Sequence, residues 1–149
     1  MDVDGVLTDG RLYYTSSGET IKVFNVHDGL GIKLIQSLGI KIGVISGRES
    51  TALQNRLTEL GITETYTGRR DKDRVLDHIL KTHQLHEDQL AFIGDDLVDI
   101  PVLKRVGFSI TTPDAPEEVK KLCVYITVAK GGQGAVREIA ELFSKLLRS

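Results

Sequence analysis

Two aspartates stand close together in the run Asp2-Val3-Asp4-Gly5. Alternate side chains of a strand point to the same face, so Asp2 and Asp4 would project together from the end of a strand. Such a pair of carboxylates can bind a hard cation such as Mg²⁺, which prefers oxygen ligands. The same pair can supply a nucleophile and a proton donor for phosphoryl transfer. For so short a motif, a solvated acidic turn is the competing interpretation.

A second loop and a lysine carry groups that suit the same chemistry. Ser46-Gly47-Arg48 follows the apolar run 41–45, and a hydroxyl and a glycine N–H at such a turn can hold a phosphate oxygen. Alternatively, Ser46 caps the next helix. Lys72 opens a predicted helix, where its charge opposes the helix dipole, so it is a candidate partner for phosphate and carboxylate.

Three more carboxylates lie in the run Gly94-Asp95-Asp96-Leu97-Val98-Asp99. They repel one another unless a cation or basic groups compensate their charge. The cap and first turn of a helix would account for Asp96 or Asp99. A cap does not account for Asp95, which directly follows a predicted buried strand.

The elements that must position these loops alternate along the chain. Short β-branched runs alternate with amphipathic stretches, which predicts an α/β fold: a Rossmann-like three-layer α/β/α sandwich with a mainly parallel sheet. Ligands bind beyond the carboxyl ends of the strands in such sheets, so the loops above would meet at one edge. The predicted strands are 40–45, 65–67, 90–93, 108–110 and 124–127. The predicted helices are 30–38, 50–60, 72–83, 100–106, 115–122 and 135–147.

One segment, at about 11–26, interrupts the alternation. Residues 12–15 and 21–26 flank a polar turn and predict an inserted β-hairpin. An isolated hairpin is marginally stable in water, so we expect its aromatic residues to pack against the same domain or a neighbouring subunit.

The first strand would be unusually short, because only Met1 precedes Asp2. A central strand has about five residues, so we expect that part of this strand precedes Met1.

Length and composition narrow the class of protein. A chain of 149 residues predicts one domain over 1–149. The net charge of −2 argues against a general nucleic-acid binder. No apolar run reaches the ~20 residues of a membrane span, and no secretory signal is visible. The single cysteine, Cys123, cannot form an internal disulfide, so a cytoplasmic location fits.

These motifs resemble, in type and order, those of the haloacid dehalogenase superfamily of phosphatases. Within it, the chain is similar over nearly its whole length to the 3-deoxy-D-manno-octulosonate (KDO) 8-phosphate phosphatases. That likeness rests on residues 2–10, 25–33, 46–48 with Arg56, and 131–138. The resemblance implies a Mg²⁺-dependent phosphomonoesterase of lipopolysaccharide precursor synthesis that lacks a large cap domain. It also implies a homotetramer joined through the hairpin.

The resemblance further implies a role for each site residue. Asp2 would be the nucleophile and Asp4 the acid and base, while Asp2, the Asp4 backbone carbonyl and Asp95 would hold the metal. Ser46, Gly47 and Lys72 would bind the phosphate. Asp96 and Asp99 would orient Lys72 and the waters of the metal. The sugar acid would be bound by Asp4, Asn25, Val26, His27, Asp28, Gly29, Lys33, Arg48, Arg56 and Lys72.

Some roles stay open at this stage. For His27, a structural hydrogen bond is an equal alternative to a contact with a sugar hydroxyl. Arg137 either approaches the site through a mobile glycine-rich stretch at 131–134 or covers the C-terminal helix.

Two other functions compete with this one. The first is a phosphatase for another acidic sugar, such as a nonulosonate 9-phosphate, which the same scaffold would serve. The second is a non-catalytic oligomerisation module, which would be free to lose Asp2, Asp4, Lys72 or Asp95, yet all four are present. A phosphomutase or ATPase of the superfamily would need an extra cap, for which the chain has no room.

Overall fold

The structure, a computed structural model, describes residues 1–147 apart from the side chain of Thr20. Its strands are β1 (Tyr13–Thr15), β2 (Gly18–Ile21), β3 (Gly43–Ile45), β4 (Glu64–Tyr66), β5 (Ala91–Ile93), β6 (Phe108–Thr111) and β7 (Tyr125–Ile126). Its helices are α1 (Val26–Ser37), α2 (Thr51–Leu60), α3 (Lys72–His83), α4 (Ile100–Leu103), α5 (Glu117–Leu122) and α6 (Ala135–Leu146). Short 3₁₀ turns cover Glu87–Gln89 and Leu97–Asp99.

The parallel strands form one layer because residues 1 and 2 lie between β3 and β5. Strand β3 pairs with β4, and β5, β6 and β7 pair in that order, all in parallel. The Ile45 N–H donates to the Met1 carbonyl at 2.9 Å, and the Asp2 N–H donates to the Ile93 carbonyl at 2.9 Å. Asp2 therefore lies in the middle of the layer, at its carboxyl edge.

Helices cover both faces of this layer, so the predicted three-layer α/β fold is confirmed. Helices α1, α2 and α6 bury their apolar residues with Val44 on one face. Helices α3, α4 and α5 pack with Ile45 on the other. Successive side chains of a strand alternate between faces, which is why two neighbouring residues of β3 serve two cores.

Two helices follow their sequence signals closely. Helix α3 has the predicted bounds, and α2 begins after Ser50, whose side chain accepts from the Leu53 N–H at 3.2 Å. Gly61 ends α2 in a left-handed conformation with φ of 69°, as its position after the apolar stripe predicts. Within residues 1–147, the longest helices have 12 residues, and none is long and apolar enough to cross a membrane.

Other helix bounds differ from the prediction. Helix α1 begins at Val26 instead of residue 30, because the Asn25 side chain accepts from the His27 N–H at 2.8 Å and caps the helix. Glycines in its first turns hide the helical pattern, since glycine has a low helix propensity. Helix α4 is shorter than predicted and ends at Leu103, and α5 begins two residues late, at Glu117.

The inserted hairpin exists, but its predicted second strand, 21–26, is wrong. Strand β2 is Gly18–Ile21, and Thr15 pairs with Gly18 across the two-residue turn of Ser16 and Ser17. Short loops of two residues are common in hairpins, and the longer turn in the prediction moved the strand too far along the chain. The residues after Ile21 therefore leave the hairpin and run towards α1.

Candidate active site

Four polar segments meet at the carboxyl edge of the sheet. Asp2 lies at the middle of the layer, Ser46 follows β3, Asp95 follows β5, and Lys72 opens α3. The loop after β4 runs beside the loop after β3, where the Arg69 N–H donates to the Ser46 carbonyl at 2.9 Å. The fold therefore brings together the groups that the sequence places on separate loops.

Lys72 is a buried cation at the centre of this arrangement, with 3 % of its side chain exposed. Its Nζ lies 3.0 Å from Asp2 Oδ2 and 2.6 Å from Asp99 Oδ1. Burial lowers the pKa of Lys72, but the charges and hydrogen bonds of Asp2 and Asp99 outweigh burial and leave the pKa raised. Lys72 is therefore an ammonium that links the first and the last of the predicted site loops.

Asp99 organises the loop that carries Asp95. Its carboxylate is fully buried, and Oδ2 accepts from the N–H groups of Asp95 at 3.0 Å and Asp96 at 3.2 Å. Asp96 itself is exposed, and its Oδ1 accepts from the Leu97 N–H at 2.7 Å. The helix-cap interpretation thus describes Asp96, whereas the contact of Asp99 with Lys72 supports the expected orienting role.

The carboxylates of Asp2, Asp95 and Asp99 form a compact oxygen cluster, with one oxygen from each lying within 4.8 Å of the others. Burial raises the pKa of Asp95 to about 7, and the charges of Asp2 and Asp99 add to this effect. Burial also raises the pKa of Asp2, and the charge of Asp99 acts in the same direction. Asp95 Oδ1 is buried and has no hydrogen-bond partner among the described residues. Because hard cations prefer oxygen ligands, these residues fit Mg²⁺.

The carboxylate of Asp4 is held by a residue that the sequence analysis missed. Lys22 Nζ lies 2.5 Å from Asp4 Oδ1 and 2.8 Å from Glu19 Oε1. Burial lowers the pKa of Lys22, but the hydrogen bonds and charges of Asp4 and Glu19 leave it raised. Lys22 follows the hairpin directly, and no motif or spacing in the sequence marks it.

The loop after β3 carries Ser46, Gly47 and Arg48, which the sequence predicts to bind phosphate and the sugar acid. Ser46 is fully buried, and its Oγ accepts from the Arg48 N–H at 3.2 Å. Ser50, and not Ser46, caps α2, so the alternative cap role of Ser46 is wrong. A Cβ added to Gly47 would lie 3.8 Å from Cγ of Arg70, whose side chain is exposed. The sequence analysis did not single out Arg70.

Part of the predicted sugar-binding set clusters at the start of α1. The Asn25 Nδ2 donates to the Gly132 carbonyl at 3.2 Å, and Arg56 Nη2 donates to the Asn25 carbonyl at 3.4 Å. A Cβ on Gly29 would lie 2.3 Å from Arg56 Nη2, so glycine at this position makes room for the guanidinium. Val26 and His27 are exposed beside them. Within residues 1–147, no hydrogen bond holds the His27 ring. The alternative interpretation, that His27 makes a structural hydrogen bond, therefore gains no support.

Two residues predicted to bind the sugar have different contacts. Asp28 is buried, and its carboxylate accepts from the N–H groups at the start of α6: Gly134 at 3.2 Å, Val136 at 2.9 Å and Arg137 at 3.1 Å. Lys33 Nζ donates to the Leu60 carbonyl at 2.6 Å, at the end of α2 away from the site. Both side chains therefore join helices in this structure, and their contact with the sugar stays a prediction.

The glycine-rich stretch 131–134 is packed against the first loop. The Gly132 N–H donates to the Val6 carbonyl at 2.9 Å. A Cβ on Gly131 would lie 1.8 Å from the Gly5 carbonyl oxygen, so only glycine allows this approach. Arg137 Nε donates to Glu141 at 2.8 Å on the same helix, which agrees with a role in covering α6.

A separate apolar cavity of about 510 Å³ opens at the opposite ends of the strands. Its lining includes Ile42, Gly43, Leu90 and Ala91, which lie at the beginnings of β3 and β5. The acidic cluster follows the other ends of these strands, so this cavity is distinct from the candidate site.

Comparison with known proteins agrees with this geometry. The sequence pattern of the haloacid dehalogenase-like hydrolases matches residues 66–139. The KDO 8-phosphate phosphatase of Yersinia pestis is 43 % identical over 141 residues, which cover 95 % of this chain and 75 % of that one. The chain belongs to this phosphatase family, within the haloacid dehalogenase-like hydrolases. The family member from Haemophilus influenzae is 42 % identical over 95 % of this chain and 78 % of its own length.

Solved structures of the phosphatase family share the fold. A cobalt-bound family member from Haemophilus influenzae has a TM-score of 0.95 and 40 % identity, over 99 % of this chain and 86 % of that one. One from Moraxella catarrhalis, in complex with magnesium, phosphate and KDO, has a TM-score of 0.94 and 41 % identity, over 97 % and 83 % of the two chains. A phosphatase fold of this family therefore accounts for nearly all of the chain.

Proposed function

We propose that the chain is a Mg²⁺-dependent phosphomonoesterase that hydrolyses KDO 8-phosphate to KDO and inorganic phosphate. The contact of Lys72 with both Asp2 and Asp99 is the observation that carries this proposal. This contact supports the proposal because it brings the proposed nucleophile and carboxylate oxygens that suit a metal next to a cation that suits phosphate. The related phosphatases named above act, by their names, on this substrate.

In the first half of the reaction, a carboxylate oxygen of Asp2 attacks phosphorus. The bond between phosphorus and the sugar oxygen breaks, and an aspartyl-phosphate forms. Asp4 gives its proton to the departing oxygen. The Asp2 carboxylate is held for this attack, because Oδ1 accepts from the Val3 N–H at 2.7 Å and Oδ2 contacts Lys72.

In the second half, water attacks the phosphorus of the aspartyl-phosphate. The bond to Asp2 breaks, and Asp4, now a carboxylate, takes a proton from the water. The Ser46 hydroxyl, the Gly47 N–H and the Lys72 ammonium surround the oxygens of the transferred group and stabilise their charge.

Asp2, Asp95 and the backbone carbonyl of Asp4 would hold the metal. When bound, Mg²⁺ shields the anionic nucleophile from the anionic phosphate. The unpartnered oxygen of Asp95 and the raised pKa of that carboxyl fit this assignment, because both mark negative charge that the protein alone does not compensate.

For the sugar acid, we set aside Asp28 and Lys33, whose side chains contact backbone groups of other helices, and keep eight residues. These are Asp4, Asn25, Val26, His27, Gly29, Arg48, Arg56 and Lys72. The start of α1 contacts the first site loop through Gly132, which bonds to both Asn25 and Val6. Guanidinium groups suit a carboxylate, and the amide and imidazole groups suit hydroxyls.

We further propose that the protein is a homotetramer of the cytoplasm that supplies a lipopolysaccharide precursor. Apolar side chains of the hairpin segment are exposed, with Tyr14 62 %, Ile21 53 % and Val23 53 % accessible. Exposed apolar surface of this kind marks interaction sites. Sedimentation velocity of the wild type should show a tetramer. The double variant Tyr14→Asp, Val23→Asp should sediment as smaller species.

The test of the activity is a panel of sugar phosphates assayed with Mg²⁺ and with a chelator. The panel contains KDO 8-phosphate, a nonulosonate 9-phosphate and neutral hexose phosphates. We expect the highest kcat/KM on KDO 8-phosphate and no phosphate release in the chelator. A preference for the nine-carbon acid would change the substrate, and absence of turnover on every ester would favour the oligomerisation module.

A further inference from the structure

We propose that Lys22 is a positioning residue of the active site, which holds the Asp4 carboxyl in place for proton transfer to the leaving group. The inference rests on the proposed phosphatase function and adds to it a residue of the inserted segment. The sequence analysis gave that segment a role only in packing and in joining subunits.

The contact between Lys22 and Asp4 is short and partly buried. Only 2 % of the Lys22 side chain is exposed, and its Nζ lies 2.5 Å from Asp4 Oδ1. A long flexible side chain loses much conformational freedom when it is held in one place, so its confinement needs compensating contacts. Here the contacts are two carboxylates, those of Asp4 and Glu19.

The second carboxylate connects Lys22 to another loop of the site. Glu19 Oε1 lies 2.8 Å from Lys22 Nζ, and Glu19 Oε2 lies 3.4 Å from Arg48 Nη1. Glu19 is 10 % exposed, whereas the Arg48 side chain is 42 % exposed. The hairpin segment therefore joins the first site loop to the loop after β3 through a row of alternating charges.

The geometry gives the two oxygens of Asp4 different tasks. Oδ1 is engaged by Lys22, and 23 % of the Asp4 side chain remains exposed. The ammonium fixes the carboxyl orientation, so that the other oxygen can meet the departing sugar oxygen. Holding a catalytic group in one orientation lowers the entropic cost of the step that it performs.

If Lys22 positions Asp4, the loss of kcat on substitution of Lys22 should depend on the leaving group of the substrate. A sugar alkoxide is a poor leaving group and needs the proton from Asp4, whereas p-nitrophenolate departs readily without one. A residue that acts through Asp4 should therefore matter for KDO 8-phosphate and matter little for p-nitrophenyl phosphate.

The experiment compares kcat on these two esters at saturating Mg²⁺ for the wild type, Lys22→Met and Lys22→Arg. We expect Lys22→Met to lower kcat by about 10–100-fold on the sugar ester and by less than about 3-fold on the aryl ester. Lys22→Arg, which keeps the charge, should recover most of the loss. Arg11→Met is the matched control: it removes a cation from the start of the same segment, where 77 % of the side chain is exposed, and should change neither rate.

A double variant separates positioning from a general structural effect. In an Asp4→Asn background, Lys22→Met should add little further loss on the sugar ester, because the group that it positions is already gone. Circular dichroism checks folding, and Lys22→Gln replaces Lys22→Met if the latter does not fold. An equal loss on both esters, an additive loss in the double variant or no loss at all would overturn the inference. A wild type inactive on both esters would instead overturn the proposed function.

Discussion

Lys72 Nζ lies 2.6 Å from Asp99 Oδ1, and the two side chains are 3 % and 0 % exposed. The remaining Asp99 oxygen holds the backbone of the loop that presents Asp95. One carboxylate thus contacts the cation beside the proposed nucleophile and holds the loop that carries a proposed metal ligand. Loss of the Asp99 carboxylate would leave Lys72 with Asp2 as its remaining partner and would leave two backbone N–H groups without their acceptor.

Asp99→Ala should therefore destabilise the protein strongly. We expect the free energy of unfolding to fall by about 2–4 kcal/mol, as measured by urea denaturation without metal, because one charged and two backbone hydrogen bonds are lost. Asp96→Ala is the control, because Asp96 is exposed and caps a short turn, and it should cost only about 1 kcal/mol. Equal effects of the two substitutions would contradict the organising role of Asp99.

Asp2→Asn should separate folding from catalysis. Burial raises the pKa of Asp2, so a neutral amide there removes a charge that the folded state hosts at a cost. Lys72 keeps its contact with Asp99, and we expect the metal-free variant to melt close to the wild type. Phosphate release should fall by at least about 1000-fold, because an amide is not a nucleophile. Turnover near the wild-type rate would exclude Asp2 as the nucleophile.

Asp28→Ala tests whether Asp28 belongs to the sugar-binding set. Three N–H groups at the start of α6 lose their acceptor, so stability should fall by about 1–3 kcal/mol in thermal or urea denaturation. The KM of the folded fraction should change by less than about 2-fold, since the side chain does not meet the substrate. A large rise in KM with unchanged stability would restore Asp28 as a substrate ligand.

The affinity for Mg²⁺ should depend on pH through Asp95. Its pKa is raised from 3.8 to about 7 in the folded protein, and the metal binds the ionised carboxylate. Below pH 7 protons compete, so the apparent affinity should fall by up to about 10-fold per pH unit. Calorimetry at pH 6 in buffers of different ionisation enthalpy should show that Mg²⁺ binding releases about one proton. This proton release should disappear well above pH 7, where the carboxyl is already ionised. Asp114→Asn, at an exposed position whose charge is not among those that shift the pKa of Asp95, should leave this release unchanged.

The raised pKa of Asp95 also predicts how the stability of the metal-free protein varies with pH. Between about pH 4 and 7 the folded state binds a proton that the unfolded chain has released, because folding raises this pKa. Asp95 therefore makes folding less favourable as the pH rises through this range. Asp95→Asn should stabilise the metal-free protein at pH 8 and lose this advantage towards pH 4, as followed by urea denaturation. An advantage that does not vary with pH would contradict the raised pKa.

The sequence by itself determined the chemistry and the layer order of this protein. Each group of candidate site residues lies at the end or the start of a helix or strand whose apolar periodicity can be read from the local sequence. These groups are residues 2–4, Ser46, Lys72 and residues 94–99. Apolar periodicity is a local property, so the alternation of strands and helices, and with it the shared edge of the loops, can be predicted. The bounds of two elements were harder to predict. Glycines within α1 obscured its start, and the two-residue hairpin turn places β2 earlier in the chain than predicted.

Only the tertiary structure decided which side chains meet. Lys22 reaches Asp4 across 18 residues, and Asp28 caps a helix more than 100 residues away, yet neither residue stands out by type or spacing. Asp28 lies within a run that resembles a substrate-binding segment, but packing of α1 against α6 turns its carboxylate inward. Contacts of this kind depend on the orientation of packed elements, which the period of a single element does not specify.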